Sequence, residues 1–398
     1  MRFTTRPIEP LADLLGRDPD HVWMSAQVSL WGWGEAARLL PGTGPHRMQA
    51  LDDAFDRLVA ESEVDDPLGL PGTGPVVFAS VTFSARSTGS VGVVPEVLVG
   101  RRGDTWWVTI SDGAGLPGPA PEPEAEDKAR YAGSSLPDVL WLERVAQAIE
   151  MIRGGELDKV VLARDYAVWS RARFHPPRVL GRLISRFPGC HVFRVADLVG
   201  ASPELLVRRT AERMDSLVLA GSAPSFVDED QATSAARTLM DSDKDRWEHE
   251  LAVRSVRDPL VGIGAEVDVR DTPEILRLAN VQHLATAVTA TVPAGWDALH
   301  LAELLHPTAA VGGTPTDAAV RVIEELEGMD RGRYAGPVGW MDGRGDGEFA
   351  IALRCAELSG ARARLFAGAG IVAGSLPEAE LDETRLKLGA MMGALGAE

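Results

Sequence analysis

The chain has 398 residues, a length that fits either one large α/β-type unit or two to three ordinary domains. Hydrophobic residues make up 45% and charged residues 25% of it, which is average globular usage and excludes a disordered or collagen-like chain. The formal net charge of −18 argues against nucleic acid or an anionic membrane surface as a partner, because an acidic protein repels phosphate groups.

The sequence also predicts a cytoplasmic protein. No segment approaches the ~20 consecutive apolar residues of a membrane span, and the first residues lack the apolar core of a signal peptide. The two cysteines, Cys190 and Cys355, are too few for a disulfide framework and are typical of a reducing compartment.

Lysine is rare in this sequence. The 40 basic residues include four lysines, which are Lys128, Lys159, Lys244 and Lys387. A buried ammonium group can lose its proton, whereas a guanidinium group cannot, so a lysine in an arginine-rich chain is a candidate base. Each lysine taken singly could equally well be present by chance, without a function.

The first third of the chain is predicted to contain strands. Segments 76–83 and 104–110 are rich in β-forming residues and lie between Gly- and Pro-rich connectors. The Pro/Glu/Ala-rich stretch 116–127 predicts an exposed linker. Apolar residues at helical spacing then predict a helix over 137–152, which the Gly154-Gly155 pair ends.

The rest of the chain alternates strands and helices. In chain order we predict a strand over 158–169, a helix over 179–187, a strand pair within 191–209, one long charged helix over about 230–257, a hairpin over 340–358, a glycine-broken strand over 364–374 and a helix over 377–395 capped by Ser375. Strands that mostly meet through turns, with helices outside them, predict an α+β fold with large antiparallel sheets.

Two predicted helices each carry a pair of carboxylates three residues apart. These pairs are Asp245 with Glu248 and Glu380 with Glu383, and that spacing places both members on one helix face. Two such faces could hold Mg²⁺, which prefers oxygen ligands. The alternative is a pair of solvated faces whose glutamates form ion pairs with lysines on the same helix.

Glu204 and Lys159 are candidates for acid–base chemistry. Glu204 follows the segment Gly200-Ala201-Ser202-Pro203, where a backbone can approach a ligand, and a buried carboxyl there would have a raised pKa suited to a general acid. It could equally belong to a helix cap. Lys159 opens an apolar strand, where it is either desolvated and inward-facing or, as the residues alone favour, an ordinary edge residue.

Other motifs argue against familiar site types. The glycine clusters at 310–313 and 367–370 offer backbone N–H groups to an anion, but neither matches a P-loop or a dinucleotide fingerprint. No HExxH motif occurs, so a zinc protease site is not indicated.

Taken together, these segments resemble the chorismate-utilising enzymes, and most closely the isochorismate synthases. The matching segments, in the order of that family, are KVVLAR, GASPELL, LAGSAP, KDRWEHE, VQHL, LHPTAAVGG, DRGRYAGPVGWMDGRGDGEFAIALR and LFAGAGIVAGSLPEAELDETRLK. They span roughly residues 140–395. The resemblance implies one α+β unit of stacked antiparallel sheets flanked by helices, with 1–130 as its variable N-terminal part and 131–398 as the chorismate-binding catalytic region.

The resemblance also implies an activity and roles for residues. The substrate would be chorismate, converted to isochorismate with Mg²⁺ by addition of water at ring carbon 2 and loss of the 4-hydroxyl. Lys159 matches the base that deprotonates the water, and Glu204 matches the acid that protonates the leaving hydroxyl. Glu248 and Glu383 match the metal ligands, with Glu380 and Asp245 in supporting positions. Positions that line the substrate pocket are matched by Gly221, Ser222, His283, Ala310, Tyr334, Arg354, Gly368 and Lys387. The protein would be a monomer or a weak dimer that serves menaquinone or siderophore biosynthesis.

Related enzymes of the same family differ from this chain at single positions. Aminodeoxychorismate synthases carry a nucleophilic lysine where this chain has Ala220, and anthranilate synthases usually lack the lysine that Lys159 supplies. Salicylate synthases, which go on to eliminate pyruvate, tend to have threonine in place of Ala310. Ser225 departs from the arginine of many isochorismate synthases. A non-catalytic chorismate-binding member of the family is the remaining alternative.

Overall fold

The computed structural model describes residues 1–121, 128–226, 228–279 and 281–397, which form eight α-helices and 23 strands. The helices are α1 (Arg47–Ala60), α2 (Asp138–Arg153), α3 (Pro176–Arg186), α4 (Glu229–Asp241), α5 (Asp243–Gly262), α6 (Ala298–Leu305), α7 (Thr316–Leu326) and α8 (Pro377–Leu395). The strands are β1 (Arg2–Pro7), β2 (His21–Met24), β3 (Ser29–Trp33), β4 (Ala37–Leu39), β5 (Glu63–Asp65), β6 (Val76–Ser80), β7 (Val91–Val94), β8 (Val97–Arg102), β9 (Thr105–Ser111), β10 (Arg130–Gly133), β11 (Lys159–Trp169), β12 (His191–Val195), β13 (Leu198–Ser202), β14 (Leu205–Thr210), β15 (Arg213–Pro224), β16 (Glu266–Val269), β17 (Glu274–Arg277), β18 (Val281–Thr291), β19 (Gly313–Thr314), β20 (Pro337–Asp342), β21 (Gly347–Ile351), β22 (Cys355–Ser359) and β23 (Arg362–Ile371).

The strands form two large sheets. The first runs in the order β10-β11-β23-β22-β13-β12-β2-β3-β8-β9-β1-β5, with β19 paired to β11; the second runs β16-β18-β15-β14-β21-β20-β6-β7-β4, with β17 paired to β18. Both sheets contain strands from before and after the proline-rich stretch. In the described part of the chain, neighbouring strands run antiparallel apart from the parallel pair β1 and β5. The predicted α+β class with large antiparallel sheets is therefore confirmed.

Hydrophobic packing joins the sheets and covers the outer face of the first one. The larger core cluster contains buried side chains of both sheets, such as Phe193 of the first and Phe349 of the second. The second cluster lies between the first sheet and helices α3 and α8, where Leu183 and Leu388 are buried. Because helix faces cover the sheets and bury their apolar side chains, the strands that carry site residues are held at fixed positions.

Several predicted elements are confirmed, among them α2, α3, α8, strand β11 and the β20–β21 hairpin. The single long helix over 230–257 is wrong, because Ser242 divides it into α4 and α5. Ser242 has an extended backbone (φ −73°, ψ 113°), and its Oγ accepts a hydrogen bond from Asp245 N at 3.2 Å. A serine in this conformation satisfies an N–H group at the start of a helix and so begins a new one.

Two further expectations are wrong, and a third lies partly outside the described residues. Ser375 does not cap α8: Leu376 holds the cap position, and Ser375 Oγ accepts instead from Val372 N at 3.2 Å. The predicted strand pair within 191–209 is three strands, β12 to β14. Part of the predicted linker, 122–127, lies outside the described residues. Among the described residues, no helix combines the length and the apolar character needed to cross a membrane.

Candidate active site

A cavity lies between the two sheets and the helices α5 and α8. Its lining consists of Val161, Glu204, Leu219, Ala220, Gly221, Ser222, Glu248, His283, Ala310, Val311, Tyr334, Leu353, Arg354, Phe366, Ala367, Gly368, Gly370 and Lys387. The eight residues predicted to bind substrate are all in this set, together with Glu204 and Glu248. Segments far apart in sequence thus meet around one space.

Glu204 lies at the junction between β13 and β14, not in a helix cap. Its side chain is almost fully buried, and its backbone is held by Ser202 Oγ, which accepts from Glu204 N at 3.3 Å. Burial raises the pKa of the Glu204 carboxyl to about 7, while the positive charges of Lys159, Arg354 and Lys387 oppose the rise. A carboxyl with a pKa near neutrality holds a proton that it can donate.

Lys159 opens β11, which pairs with β23 along its length and with β19 at its start, so the edge interpretation is wrong. Its side chain is 0% exposed, and Nζ lies 3.1 Å from Glu248 Oε1. The contact does not have hydrogen-bond geometry, which leaves Nζ without a hydrogen-bond partner in the described chain. The lysine is therefore an inward-facing group that contacts Glu248, a lining residue of the cavity, although Lys159 itself is not part of the lining.

Gly370 makes room for this contact. It lies on β23 opposite Val161, and a Cβ built on it would be 2.1 Å from Glu248 Oε1 and 3.2 Å from Lys159 Cε. Any larger residue would occupy the space of the carboxylate. The glycine cluster in this strand thus serves close packing of side chains against the backbone.

Arg354 and His283 form a hydrogen-bonded pair inside the cavity. One Arg354 nitrogen donates to His283 Nε2 at 2.7 Å, so Nδ1 carries the ring proton and donates to Gly221 O at 3.1 Å. Burial and the charges of Arg354 and Lys387 hold the pKa of His283 well below its usual range, which keeps the ring neutral. Arg354 Nε has no hydrogen-bond partner in the described chain, so a donor remains for an anionic ligand.

A lysine and two stacked aromatic rings also line the cavity. Lys387 Nζ donates to Gly368 O at 2.9 Å and lies 2.6 Å from Glu383 Oε1. The rings of Tyr334 and Phe366 stack with centroids 5.0 Å apart and an interplanar angle of 9°. Phe366 was not predicted, although it lies two residues before Gly368 and strand alternation places it on the same face.

A buried ion pair behind the cavity was also missed. Glu327 Oε1 accepts from Ala163 N at 2.6 Å, and Arg331 donates to the backbone oxygens of Val161 and Val311 at 2.8 Å each. Arg331 and Glu327 are hydrogen-bonded to each other and almost fully buried. The pair fixes β11 to the loop before β19. The four-residue spacing of Glu327 and Arg331 is its signal in the sequence, whereas the contacts to backbone groups leave none.

The four acidic residues predicted for the metal lie on α5 and α8. The lysine contacts are Lys159–Glu248, Lys387–Glu383 at 2.6 Å and Lys244–Glu380 at 2.8 Å. Glu383 thus pairs with Lys387 on its own helix, as expected. Lys244 of α5 pairs with Glu380 of α8 and not with Glu248 of its own helix. Asp245, Glu380 and Glu383 do not line the cavity.

The chemistry of these acidic groups fits a hard cation. Burial is the main reason that the pKa values of Asp245 and Glu380 are raised, and neighbouring glutamates raise them further. Lysines contact three of these four carboxylates, and among the described residues no salt bridge reaches Asp245. Burial makes a carboxylate without a counter-charge costly. In the described chain these acids do not bring three ligand atoms within 4.8 Å of one another.

The two antiparallel sheets thus enclose one cavity that is lined by a buried acid and by cationic groups. A family model described as "Chorismate binding enzyme" matches residues 118–396, so the chain belongs to this family.

The chain is also similar to characterised and solved relatives. It is 38% identical to the putative isochorismate synthase MenF of Mycobacterium tuberculosis over 82% of this chain and 88% of that protein. It is 33% identical to the salicylate biosynthesis isochorismate synthase of Pseudomonas aeruginosa, with 99% and 89% covered. The solved structure of MenF, the menaquinone-specific isochorismate synthase of Escherichia coli, aligns with a TM-score of 0.82 at 25% identity, covering 99% of this chain and 94% of that one.

Proposed function

We propose that this protein is an isochorismate synthase, which isomerises chorismate to isochorismate. The observation that carries the proposal is Glu204, a buried carboxyl at the cavity wall whose pKa is raised to about 7. A protonated acid at neutral pH is what the departure of a ring hydroxyl needs. The isochorismate synthases among the relatives support the same activity.

Acid and base act on different oxygens of the substrate. Lys159 takes a proton from the water whose oxygen bonds to ring carbon 2, and Glu204 gives a proton to the hydroxyl whose bond to carbon 4 breaks. One water enters and one water leaves, so the reaction needs no oxidant or reductant. Each cycle leaves Lys159 protonated and Glu204 ionised, and proton exchange with solvent resets both.

Charged groups of the cavity account for binding of a dianion to an acidic protein. Arg354 and Lys387 are the carboxylate partners, and His283 orients the Arg354 guanidinium through the 2.7 Å hydrogen bond. These interactions are strong because the cavity is shielded from water and its dielectric constant is low. Stacked Tyr334 and Phe366 supply an apolar wall.

The proposed cofactor is Mg²⁺. Glu248 and Glu383 would hold it, with Asp245 and Glu380 in support. A bound Mg²⁺ supplies a positive charge that holds the ring carboxylate of the substrate and replaces part of its hydration.

The first experiment is product analysis. Purified full-length protein is incubated with chorismate in the presence of Mg²⁺ and then of EDTA, the products are separated by liquid chromatography, and pyruvate is assayed in parallel. We expect isochorismate that depends on metal, with no pyruvate. Salicylate with matching pyruvate would instead assign the rival synthase, against which Ala310 in the cavity argues. Absence of turnover would favour a non-catalytic chorismate-binding protein.

The base is tested by Lys159→Ala, with Lys128→Ala as the matched control because Lys128 is exposed and lies outside the cavity. Loss of a general base lowers the rate by about 10²–10⁴-fold, whereas the control should retain the wild-type rate. Chorismate binding, measured by calorimetry, should survive in both. Unchanged turnover in Lys159→Ala would contradict the assignment of the base.

We also propose that residues 1–130 belong to the same α+β unit as residues 131–398. Strands β1 to β9 are hydrogen-bonded into both sheets, so a chain that starts at residue 131 would expose sheet edges and core side chains. Expression of residues 131–398 should give an insoluble or unfolded product, and the full chain should elute from a sizing column as a monomer or weak dimer.

A further inference from the structure

A second cluster of ionisable side chains lies where α1 packs against α6, away from the cavity. Asp52 of α1, Asp297 at the cap of α6 and His300 of α6 each bring one potential ligand atom within 4.8 Å of the other two. Among the described residues, this is the group in which three such atoms come so close. It joins the N-terminal third to the catalytic region.

Both carboxylates converge on one ring nitrogen. His300 Nδ1 lies 2.5 Å from Asp297 Oδ2 and 3.4 Å from Asp52 Oδ2. Asp297 Oδ1 accepts from His300 N at 2.8 Å, which caps α6 and fixes the orientation of the aspartate. The ring and the capping carboxylate are thus held in place by the start of a helix.

One oxygen of Asp52 lacks a hydrogen-bond partner. Its side chain is 3% exposed, and its Oδ1 atom is buried without a hydrogen bond. A buried carboxylate without a hydrogen bond costs free energy unless a cation or donor satisfies it. Since the neighbouring oxygen of the same group faces His300, the carboxylate is directed into the cluster.

The charge balance indicates a missing cation. Burial, Asp297 and Asp56 together raise the pKa of Asp52 to about 7, and His300 is the group that opposes them. No described arginine or lysine is among the charges that act on Asp52 or Asp56. Four carboxylates, those of Asp52, Asp53, Asp56 and Asp297, therefore surround one imidazole.

We propose that Asp52, Asp297 and His300 form a second metal site, which takes a divalent transition-metal ion such as Zn²⁺. One imidazole nitrogen and two carboxylate oxygens match the three protein ligands of an open tetrahedral zinc site, where water completes the shell. Mg²⁺ fits less well, because it favours octahedral oxygen coordination. The ion links α1 to α6, whose C-terminal end leads into the loop that carries Ala310.

The test uses full-length protein stripped of metal. The protein is dialysed against Zn²⁺ in the presence of excess Mg²⁺, which occupies the acidic groups of α5 and α8, and bound zinc is measured by elemental analysis together with the melting temperature. Asp52→Asn and His300→Gln are compared with Asp53→Asn, the matched control, which removes the same charge from an exposed neighbour. We expect both ligand variants to bind about one equivalent of zinc less than wild type and the control.

Thermal melting gives an independent readout. Zinc should raise the melting temperature of wild type and of Asp53→Asn, because a ligand that binds only the folded state stabilises it, and it should not raise that of the ligand variants. Without metal, Asp52→Asn should melt no lower than wild type, since the change removes a buried carboxylate that Asp297 and Asp56 repel.

Cobalt serves as a spectroscopic probe of the same site. Co²⁺ bound through nitrogen and oxygen should give visible absorption bands in wild type that His300→Gln lacks. Equal zinc binding, equal melting shifts and equal cobalt spectra in wild type and both variants would overturn the proposal. Isochorismate formation with Mg²⁺ should be the same in Asp52→Asn and Asp53→Asn, so failure of this site is distinguishable from failure of the proposed function.

Discussion

Substitution of Gly370 by alanine tests whether the Lys159–Glu248 contact serves catalysis. The new Cβ would be 2.1 Å from Glu248 Oε1 and 2.9 Å from its Cδ. To reach ordinary contact at 3.4 Å, the carboxylate must move by about 1.3 Å. Misplacement of a site group by ~1 Å costs about 10²-fold in rate, or about 2.7 kcal/mol of transition-state stabilisation.

Stability should change far less than activity. Gly370 has ordinary strand geometry, and the clash is with the end of a flexible side chain that can turn away. Alanine also lowers the entropy of the unfolded chain, which is worth about 0.4–1 kcal/mol in favour of folding. Gly370→Ala should therefore melt near the wild-type temperature while kcat/KM falls by about 10²-fold.

The assay is isochorismate formation at saturating and limiting chorismate over a range of Mg²⁺ concentrations, with thermal denaturation in parallel. Gly374→Ala is the matched control, because a Cβ at this position meets nothing within 4 Å. Wild-type kcat/KM and an unchanged Mg²⁺ requirement in Gly370→Ala would refute the reasoning.

Three further substitutions test other parts of the site. Glu204→Gln should lower kcat by about 10²-fold or more, and wild-type activity should fall as pH rises through about 7, where the acid loses its proton. The folded carboxyl holds its proton above the usual value of 4.5, so wild type should lose stability relative to Glu204→Gln between pH 4.5 and about 7, as denaturant titrations across that range would show. Arg354→Lys should raise KM by roughly tenfold in steady-state kinetics, because an ammonium group cannot keep the hydrogen bond to His283 and also hold a carboxylate with a planar fork. Glu327→Gln should lower the free energy of unfolding by about 3–5 kcal/mol in chemical denaturation, because it leaves Arg331 charged and unpaired in the interior.

Each of these has an outcome that contradicts it. A wild-type rate that stays constant through pH 7 would remove Glu204 as the acid, and an unchanged KM in Arg354→Lys would remove Arg354 as a carboxylate partner. For the buried pair the control is Glu324→Gln, which breaks an exposed contact with Arg86 and should cost under about 1 kcal/mol. Equal losses in the two variants would contradict the distinction between buried and exposed ion pairs.

Several elements could be predicted from the sequence because they depend on local patterns. Apolar spacing predicted α2 and α8, and the Gly/Asp turn predicted the β20–β21 hairpin. The break at Ser242 was missed, since serine is compatible with a helix interior and only its backbone conformation makes it a cap. The matching motifs likewise indicated the family, because they recur in a fixed order.

The residues alone could not decide the position of single side chains. The residues around Lys159 favour an edge position, and only the pairing of β11 on both sides shows that the lysine is enclosed. The partner of Lys244 lies on another helix, 136 residues away, so helical spacing pointed to the wrong carboxylate.

The sequence by itself indicated several of the elements, the α+β class and the set of chemical groups that the family motifs contribute. The tertiary structure decided how those groups meet: Glu204 is buried beside cationic residues, Gly370 leaves space for Glu248, and Asp52 meets His300 from a distant helix. The physical reason is range. Helix periodicity, turns and caps act over a few residues, whereas desolvation, charge compensation and close packing depend on neighbours that only the folded chain brings together.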